Sequence, residues 1–236
     1  GLPALGAWSL MDVGANVRGF VLQDSLLFTL GFVPPHPMAW SKARLEWIQP
    51  LVVERDTTIR LSATDRDSDL PKAIRIPITD SEYFLLENRV QRANRGTPSG
   101  VSSPLDDDET VWIDAGTVEF SRDDGAGVWR AVDEYDAFVP GSGVLIWHVD
   151  DQIIADRIGG GAVNNDPVRQ GIALEEADGY RDVGNPIFSR LDQIEGSRDD
   201  PFHANGRPVF GTTTTPNSNS NTGIASGLRI EVLSPP

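Results

Sequence analysis

The pattern of apolar and polar residues predicts that most of this chain forms β-strands. The strongest stretch is 143–149, which is apolar on both faces apart from His148, as in a strand that is covered on both sides. Residues 83–86 have the same character and predict a second central strand. Further strands are predicted where the period is two or a short apolar run occurs, at 59–63, 74–78, 111–120, 127–131, 171–176 and 228–233.

One helix stands out, at residues 37–48. Pro37 suits a first helical position. Trp40 and Trp47 recur at i and i+7 on one apolar stripe, and Pro50 marks the end. We expect the Trp40/Trp47 stripe to pack on the β-sheet.

These elements predict a mainly β fold, antiparallel and sandwich-like from about residue 50, preceded by an N-terminal loop and helix segment. We divide the chain into a segment 1–49 and a β-rich domain 50–236. Polar stretches predict long loops at 91–109, 155–170 and 178–227.

Composition narrows the classes of partner. The chain has 20 Lys and Arg against 35 Asp and Glu, a formal net charge of −15. This balance argues against nucleic acid and anionic membranes as partners, because both require basic patches. No apolar run is long enough to cross a bilayer. With no cysteine there is no disulfide framework and no thiolate zinc site.

The residues alone do not assemble a catalytic centre. The histidines His36, His148 and His203 are far apart, and none lies in an H-E-x-x-H helix. Ser142 lacks the G-x-S-x-G spacing of a nucleophile elbow. We predict that His148 is a buried, hydrogen-bonded histidine of the core.

Acidic clusters offer candidate calcium ligands, because carboxylate oxygens are the ligands that calcium prefers. One cluster follows the predicted strand 171–176, and Asp199 and Asp200 are expected to fold back toward it. The candidate calcium ligands are Glu175, Glu176, Asp178, Asp182, Asp199 and Asp200. Asp150 and Asp151, at the end of the strand 143–149, are loop-ordering or further calcium-binding acids. A solvated acidic loop is the alternative interpretation of the whole cluster.

Several blocks in order resemble the immune inhibitor A-like family of secreted zinc metallopeptidases. The blocks are Gly6-Ala-Trp-Ser-Leu-Met-Asp12, residues 36–47, residues 82–89, Pro140-Gly-Ser-Gly-Val-Leu-Ile-Trp-His-Val-Asp150, Leu174-Glu-Glu-Ala-Asp-Gly179 and a closing segment made of Pro216-Asn-Ser-Asn219 and residues 223–227. They span nearly the whole chain.

The resemblance implies that Met11 occupies a Met-turn, the apolar floor beneath the catalytic zinc. It also implies that residues 1–49 are the C-terminal end of a catalytic subdomain, which would make the class α+β. The family's H-E-x-x-H helix, which supplies two zinc ligands and the general base, lies upstream of the Met-turn and is not in this chain. Ala4 stands where the family has an acidic residue, so no zinc ligand and no catalytic base is assigned here.

Three classes of function remain open from the sequence. The first is a portion of a secreted zinc metalloendopeptidase, inactive alone, whose partners would be a protein or peptide substrate and the missing upstream catalytic segment. The second is a non-catalytic extracellular binding module on a peptidase-like scaffold, stabilised by calcium. The third is an unrelated β-sandwich lectin or adhesin, which the ordered blocks disfavour.

Overall fold

The computed structural model describes residues 5–22, 24–31, 33–103, 105, 110–114, 118–120, 129–132, 135–183 and 195–236. The fold is mainly β with short helical segments, which confirms the predicted fold class. The strands are β1 Arg18–Leu22, β2 Leu26–Leu30, β3 Leu51–Val52, β4 Ile74–Pro77, β5 Glu82–Arg89, β6 Asn94–Arg95, β7 Val111–Asp114, β8 Val118–Phe120, β9 Trp129–Val132, β10 Gly143–Asp150, β11 Ile172–Leu174, β12 Val209–Gly211 and β13 Arg229–Glu231. The α-helices are α1 Ala39–Arg44 and α2 Asp151–Arg157, and short 3-10 helices occur at Gly6–Trp8, Val13–Asn16, Tyr135–Phe138 and Ile158–Gly160.

The centre of the molecule is a five-stranded sheet in the order β11-β10-β5-β4-β3. The long strands β5 and β10 pair antiparallel over their whole length, from Gly143 opposite Arg89 to Asp150 opposite Glu82. Among the described strands of this sheet, the only parallel pair is β3 with β4. The two strands that the sequence predicts most strongly are therefore neighbours at the middle of the sheet.

This sheet is buried on both faces. Leu145, Trp147 and Val149 of β10 face a first core that also contains Trp8 and Met38. The opposite face carries a second core, formed by Ile74, Phe84, Leu86, Ile146, Ala177, Phe202, Phe210 and Val232. The alternation along β10 follows from the two-residue period of a strand, and it confirms that the apolar run is covered on both sides.

The N-terminal part of segment 1–49, which the sequence predicts to be a loop ahead of the helix, contains a β-hairpin. Strands β1 and β2 pair antiparallel, with the Phe20 and Phe28 rings in edge contact at 5.8 Å between centroids. β1 also pairs in parallel with β7, which gives a second sheet in the order β2-β1-β7-β6. The loop prediction was wrong because two short apolar runs, at 18–22 and 26–30, pair with each other despite the glycines and prolines around them.

The helix at 37–48 is also shorter than predicted, since α1 covers only Ala39–Arg44. Glu46 has a positive φ of 60°. The Glu46 amide donates to the Ala43 carbonyl and the Trp47 amide donates to the Lys42 carbonyl. These two hydrogen bonds are those of a Schellman motif, which ends a helix. Trp47 consequently lies beyond the helix with 65% of its surface exposed, so the expected Trp40/Trp47 stripe is wrong at Trp47.

Other predicted elements differ in extent. Residues 59–63 form no strand, whereas β11 and β13 are shorter than the predicted 171–176 and 228–233. Parts of two further predicted strands, residues 115–117 and 127–128, lie outside the described residues. The division at residue 49 stays a prediction, although residues from both sides of it share the first core. No helix among the described residues has the length and apolar character needed to cross a membrane.

His148 is buried between two carboxylates. Its Nε2 lies 2.9 Å from Glu82 Oε2, its Nδ1 lies 3.3 Å from Glu175 Oε1, and its ring contacts Phe84 at 4.8 Å between centroids. Glu82 also accepts a hydrogen bond from the Asn221 amide at 2.7 Å. The structure confirms the predicted buried, hydrogen-bonded histidine. Burial by itself lowers the pKa of His148, but the two carboxylates outweigh it and raise this pKa above its usual value.

Trp8, which is buried, and Trp47, which is exposed, together provide a test of the core. Trp8 has no exposed surface, so we expect Trp8→Ala to lower the free energy of unfolding by about 3–5 kcal/mol. Trp47→Ala, an identical change at an exposed site, should cost less than about 1 kcal/mol. Urea unfolding followed by circular dichroism measures both values, and equal losses in the two variants would contradict this packing.

His148 should make stability depend on pH. Because its folded-state pKa is raised, its stabilising contribution is fully present below the unfolded value of about 6.5 and is lost as pH rises through the folded value. The difference in unfolding free energy between wild type and His148→Gln should therefore shrink above about pH 6.5, by at most about 1.4 kcal/mol per pH unit. Glu82→Gln, which removes one carboxylate, should reduce the same pH dependence. An unchanged difference between pH 6 and 9 would contradict the two-carboxylate arrangement.

Candidate functional site: a buried acidic cluster

Two segments of the chain build the acidic cluster. The first follows β11, where the chain leaves the sheet after Leu174 and turns at Gly179, whose φ is +83°. The second is the loop 195–202, which is fastened to the start of β10 by reciprocal backbone hydrogen bonds between Val144 and Phe202, both 2.9 Å. A hydrogen bond of 2.8 Å from the Ala177 amide to the Asp200 carbonyl joins the two segments directly.

The three carboxylates of the cluster are Glu176, Asp178 and Asp200. One oxygen of each lies within 4.8 Å of the other two. Glu176 and Asp200 are buried, with 3% and 0% of their surface exposed, and Asp178 is half-buried. In the part of the chain that the structure describes, no other group of three or more histidine or acidic side chains is close enough together to hold one ion.

Asp200 is held by three donors that fix its position. Its Oδ2 accepts from the Trp8 indole N–H at 3.2 Å and from the Ser197 amide at 2.7 Å, and its Oδ1 accepts from the Ser197 hydroxyl at 2.7 Å. Gly196 permits this approach, because a Cβ there would lie 2.7 Å from the Trp8 nitrogen and 2.8 Å from the Asp200 oxygen. The first core and the acidic cluster are therefore connected through Trp8.

The carboxylates are too close together to be ionised without compensation. Burial first, and then the charge of Asp200, raise the pKa of Glu176 to about 10. Burial also raises the pKa of Asp200 to about 7, against the hydrogen bonds from Ser197 and Trp8 that lower it. The pKa of Asp178 is likewise raised, chiefly by burial. These raised pKa values favour a proton on the cluster at neutral pH, or a bound cation in its place.

The donor set fits a hard cation. All three side chains offer oxygen, which suits calcium or magnesium, whereas a structural zinc site uses cysteine and histidine. Calcium takes 6–8 oxygen ligands, so backbone carbonyls and water would complete its coordination. Next to the cluster, Asp182 Oδ1 is buried without a hydrogen-bond partner among the described residues, and the Asp182 amide donates to Glu176 Oε2 at 3.1 Å.

The structure places four of the other predicted calcium ligands outside this cluster, whereas Asp182 lies beside it. Glu175 faces His148, and Asp199 is an exposed side chain 4.0 Å from Arg198 Nε. Asp150 caps the N-terminus of α2 by accepting from the amides of residues 152 and 153, each at 3.1 Å. Asp150 thus orders the following helix, one of the two roles that the sequence left open.

Asp151 and Met11 also lie apart from the cluster. The Asp151 carboxylate is 3.4 Å from both the Arg75 guanidinium and the Tyr83 hydroxyl. Met11 lies in a turn between two 3-10 helices, with 80% of its surface exposed. The predicted Met-turn role of Met11 stays a prediction.

Sequence reasoning missed a buried polar network beside the first core. The fully buried Arg89 makes two hydrogen bonds to the Asp136 carboxylate, of 2.7 and 2.6 Å, and also donates to the carbonyls of Trp8 and His36. The Asp136 carboxylate accepts from the His36 amide at 2.8 Å. The available signal was the two-residue period of β5, which places Arg89 on the same face as the apolar residues 83 and 85.

Comparisons of this chain with protein-family models, with curated proteins and with solved structures found no match. The resemblance to the metallopeptidase family therefore depends on the blocks of residues that carry it. The chemistry of the acidic cluster depends on its own geometry.

Proposed function

We propose that this chain is the scaffold portion of a secreted zinc metalloendopeptidase of the immune inhibitor A-like family. The supporting observation is that the blocks which resemble this family meet in one core. Trp8, Met38, Leu85, Trp147 and Leu174 come from five different blocks and belong to the same buried cluster. Residues that are distant in sequence but share one core constrain each other, so the ordered blocks represent one structural unit.

On this proposal the zinc ligands and the general base come from an upstream H-E-x-x-H helix. The zinc would activate a water for attack on a peptide bond. The present residues would support that helix. The family resemblance implies that Met11, which is exposed in its turn, would lie beneath the zinc that this helix binds. Protein or peptide substrates follow from the same resemblance.

The gene region upstream of Gly1 provides the direct test. We expect it to encode an H-E-x-x-H motif shortly before this residue, and we expect the longer protein to bind one zinc and cleave casein. The 236-residue chain alone should retain no stoichiometric zinc after dialysis, as measured by atomic emission. One tightly held zinc per 236-residue chain, together with cleavage of casein, would overturn the proposal.

A second proposal is that the chain is a non-catalytic extracellular binding module stabilised by calcium. The acidic cluster favours it, because calcium would neutralise buried carboxylates that otherwise repel one another. The calcium ligands on this proposal are Glu176, Asp178 and Asp200, with Asp182 adjacent. The upstream sequence separates the two proposals, since a module of this kind needs no H-E-x-x-H helix.

Calcium should raise the thermal stability of the chain. A ligand that binds only the folded state stabilises it by about 2.7 kcal/mol at a concentration a hundredfold above Kd. We expect the melting temperature to rise with calcium and to fall with EGTA, in scanning calorimetry at pH 8. Asp178→Asn should remove most of this response. The matched control Asp199→Asn changes an exposed neighbouring carboxylate and should keep it.

The calcium response should also grow with pH. The raised pKa values of Glu176 and Asp200 mean that, without calcium, stability is greatest when both are protonated and falls as pH rises toward about 7 and about 10. Calcium binds the ionised carboxylates, so it must displace protons at low pH. We therefore expect a larger shift in melting temperature at pH 8 than at pH 5.5. An equal shift at both values, or none in wild type, would exclude calcium binding at this cluster.

A further inference from the structure

An open groove lies on the second core, opposite the face that carries Trp8. One wall is the extended stretch 53–61 and the other is the stretch 228–234. The floor is apolar and belongs to the central sheet, with Ile74, Ile76, Leu86 and Val144. The groove encloses about 980 Å³, at the upper end of the roughly 300–1,000 Å³ that is usual for ligand pockets.

The first wall has unused backbone hydrogen-bonding groups. Residues 54–61 form no strand, and none of their amides or carbonyls is hydrogen-bonded to another described residue. The flanking residues Val53 and Ser62 do donate, to the carbonyls of Arg75 and Pro71. The stretch is therefore fixed at both ends and unpaired between them.

The second wall presents a strand edge. β13 pairs antiparallel with β12, with Ile230 opposite Phe210, and the Val232 amide donates to the Pro208 carbonyl. Because hydrogen-bonded pairs alternate along an antiparallel ladder, the amides and carbonyls of Arg229 and Glu231 point to the other edge. No described residue is hydrogen-bonded to these backbone groups.

The side chains around the groove suit an extended peptide in which apolar and polar residues alternate. Those of Ile59, Leu61, Leu228 and Ile230 pack on the second core and stay partly exposed. Four apolar side chains nearby are exposed, namely Leu51, Val52, Leu70 and Leu233. Exposed apolar side chains beside a groove are typical of interaction sites.

The charges of the groove indicate the chemistry of its occupant. Three arginines and three acids line it, so their formal charges cancel: Arg55, Arg60, Arg229, Glu54, Asp56 and Glu231. Arg229 and Glu231 form an ion pair of 2.5 Å. On a chain of net charge −15 the groove is thus a neutral region, complementary to an uncharged segment. A second copy would bring a further −15 and be repelled.

We infer that this groove binds an extended, uncharged segment of a different protein, with β-branched or aromatic residues at alternate positions. The segment adds to the free edge of β13 as an extra strand, using backbone hydrogen bonds for affinity and the apolar floor for side-chain selection, as in β-augmentation. The stretch 228–234 accommodates about six residues of such a strand. This inference is independent of both the peptidase and the calcium proposals.

The test uses fluorescently labelled synthetic peptides of about seven residues in solution, with Val, Ile, Tyr or Phe at three alternate positions and Thr between them. We expect members of this set to bind the 236-residue chain, and Kd by fluorescence anisotropy to rise at least about tenfold for Ile59→Arg. Leu30→Arg places the same charge on an exposed apolar residue of β2, outside the groove, and should leave Kd unchanged. Melting temperatures of both variants check that they fold.

A second measurement isolates the backbone contribution. The best-binding peptide is made in two N-methylated forms, each methylated at one of the two alternate sets of amides, so that each form loses the donors of one edge and keeps its side chains. The form methylated on the edge that faces β13 should bind at least about tenfold more weakly. Equal binding by both methylated forms, or by Ile59→Arg, overturns the inference. So does the absence of any binder at about 1 mM peptide. Concentration-dependent dimerisation that Ile59→Arg abolishes, measured by sedimentation, would instead identify a second copy as the occupant and also overturn it.

Discussion

The fully buried ion pair of Arg89 with Asp136 holds the parts of this molecule together. Arg89 is at the end of β5 in the central sheet, and its remaining donors bind the carbonyls of Trp8 and His36 from the N-terminal segment. Although burial opposes both charges, the carboxylate raises the pKa of Arg89 and the guanidinium lowers the pKa of Asp136, so both stay charged. A pair of this kind contributes less to net stability than to fixing one arrangement, because removing either partner strands the other in the interior.

The strand period then divides polar functions between the two faces of the sheet. Glu87 lies on the face of Arg89 and accepts the Trp147 indole N–H at 2.9 Å. The opposite face carries the pair of Glu82 and His148, and there Glu82 also binds the amide of Asn221 in the C-terminal region. One strand, β5, thus anchors the N-terminal segment from one side and the C-terminal segment from the other.

The sequence predicted best where one physical signal dominates. The double-sided apolar runs of β5 and β10 identify central strands because only burial on both faces favours such runs. The end of α1 could not be predicted, since it depends on the positive φ of Glu46, a conformation that usually requires glycine. The acidic cluster was partly foreseen. The sequence led us to expect that Asp200 folds back toward the acids after β11. The contact of Glu175 with His148, however, depends on the register between β10 and β11, which a single sequence does not reveal.

The two buried charge clusters of this molecule differ in how their charges are compensated. Around Arg89, each buried charge meets an opposite charge supplied by the chain itself. Around Glu176, the neighbouring carboxylates Asp200 and Asp178 add negative charge, and the donors that hold Asp200 are neutral amide, hydroxyl and indole groups. Burial raises the pKa of Asp178 and outweighs the positive charge of Arg207, which lowers it. Neutral donors lower the energy of one carboxylate but do not cancel three. The chain therefore compensates these acids less completely than it compensates Arg89, and this difference is the observation behind the proposal that a cation binds among them.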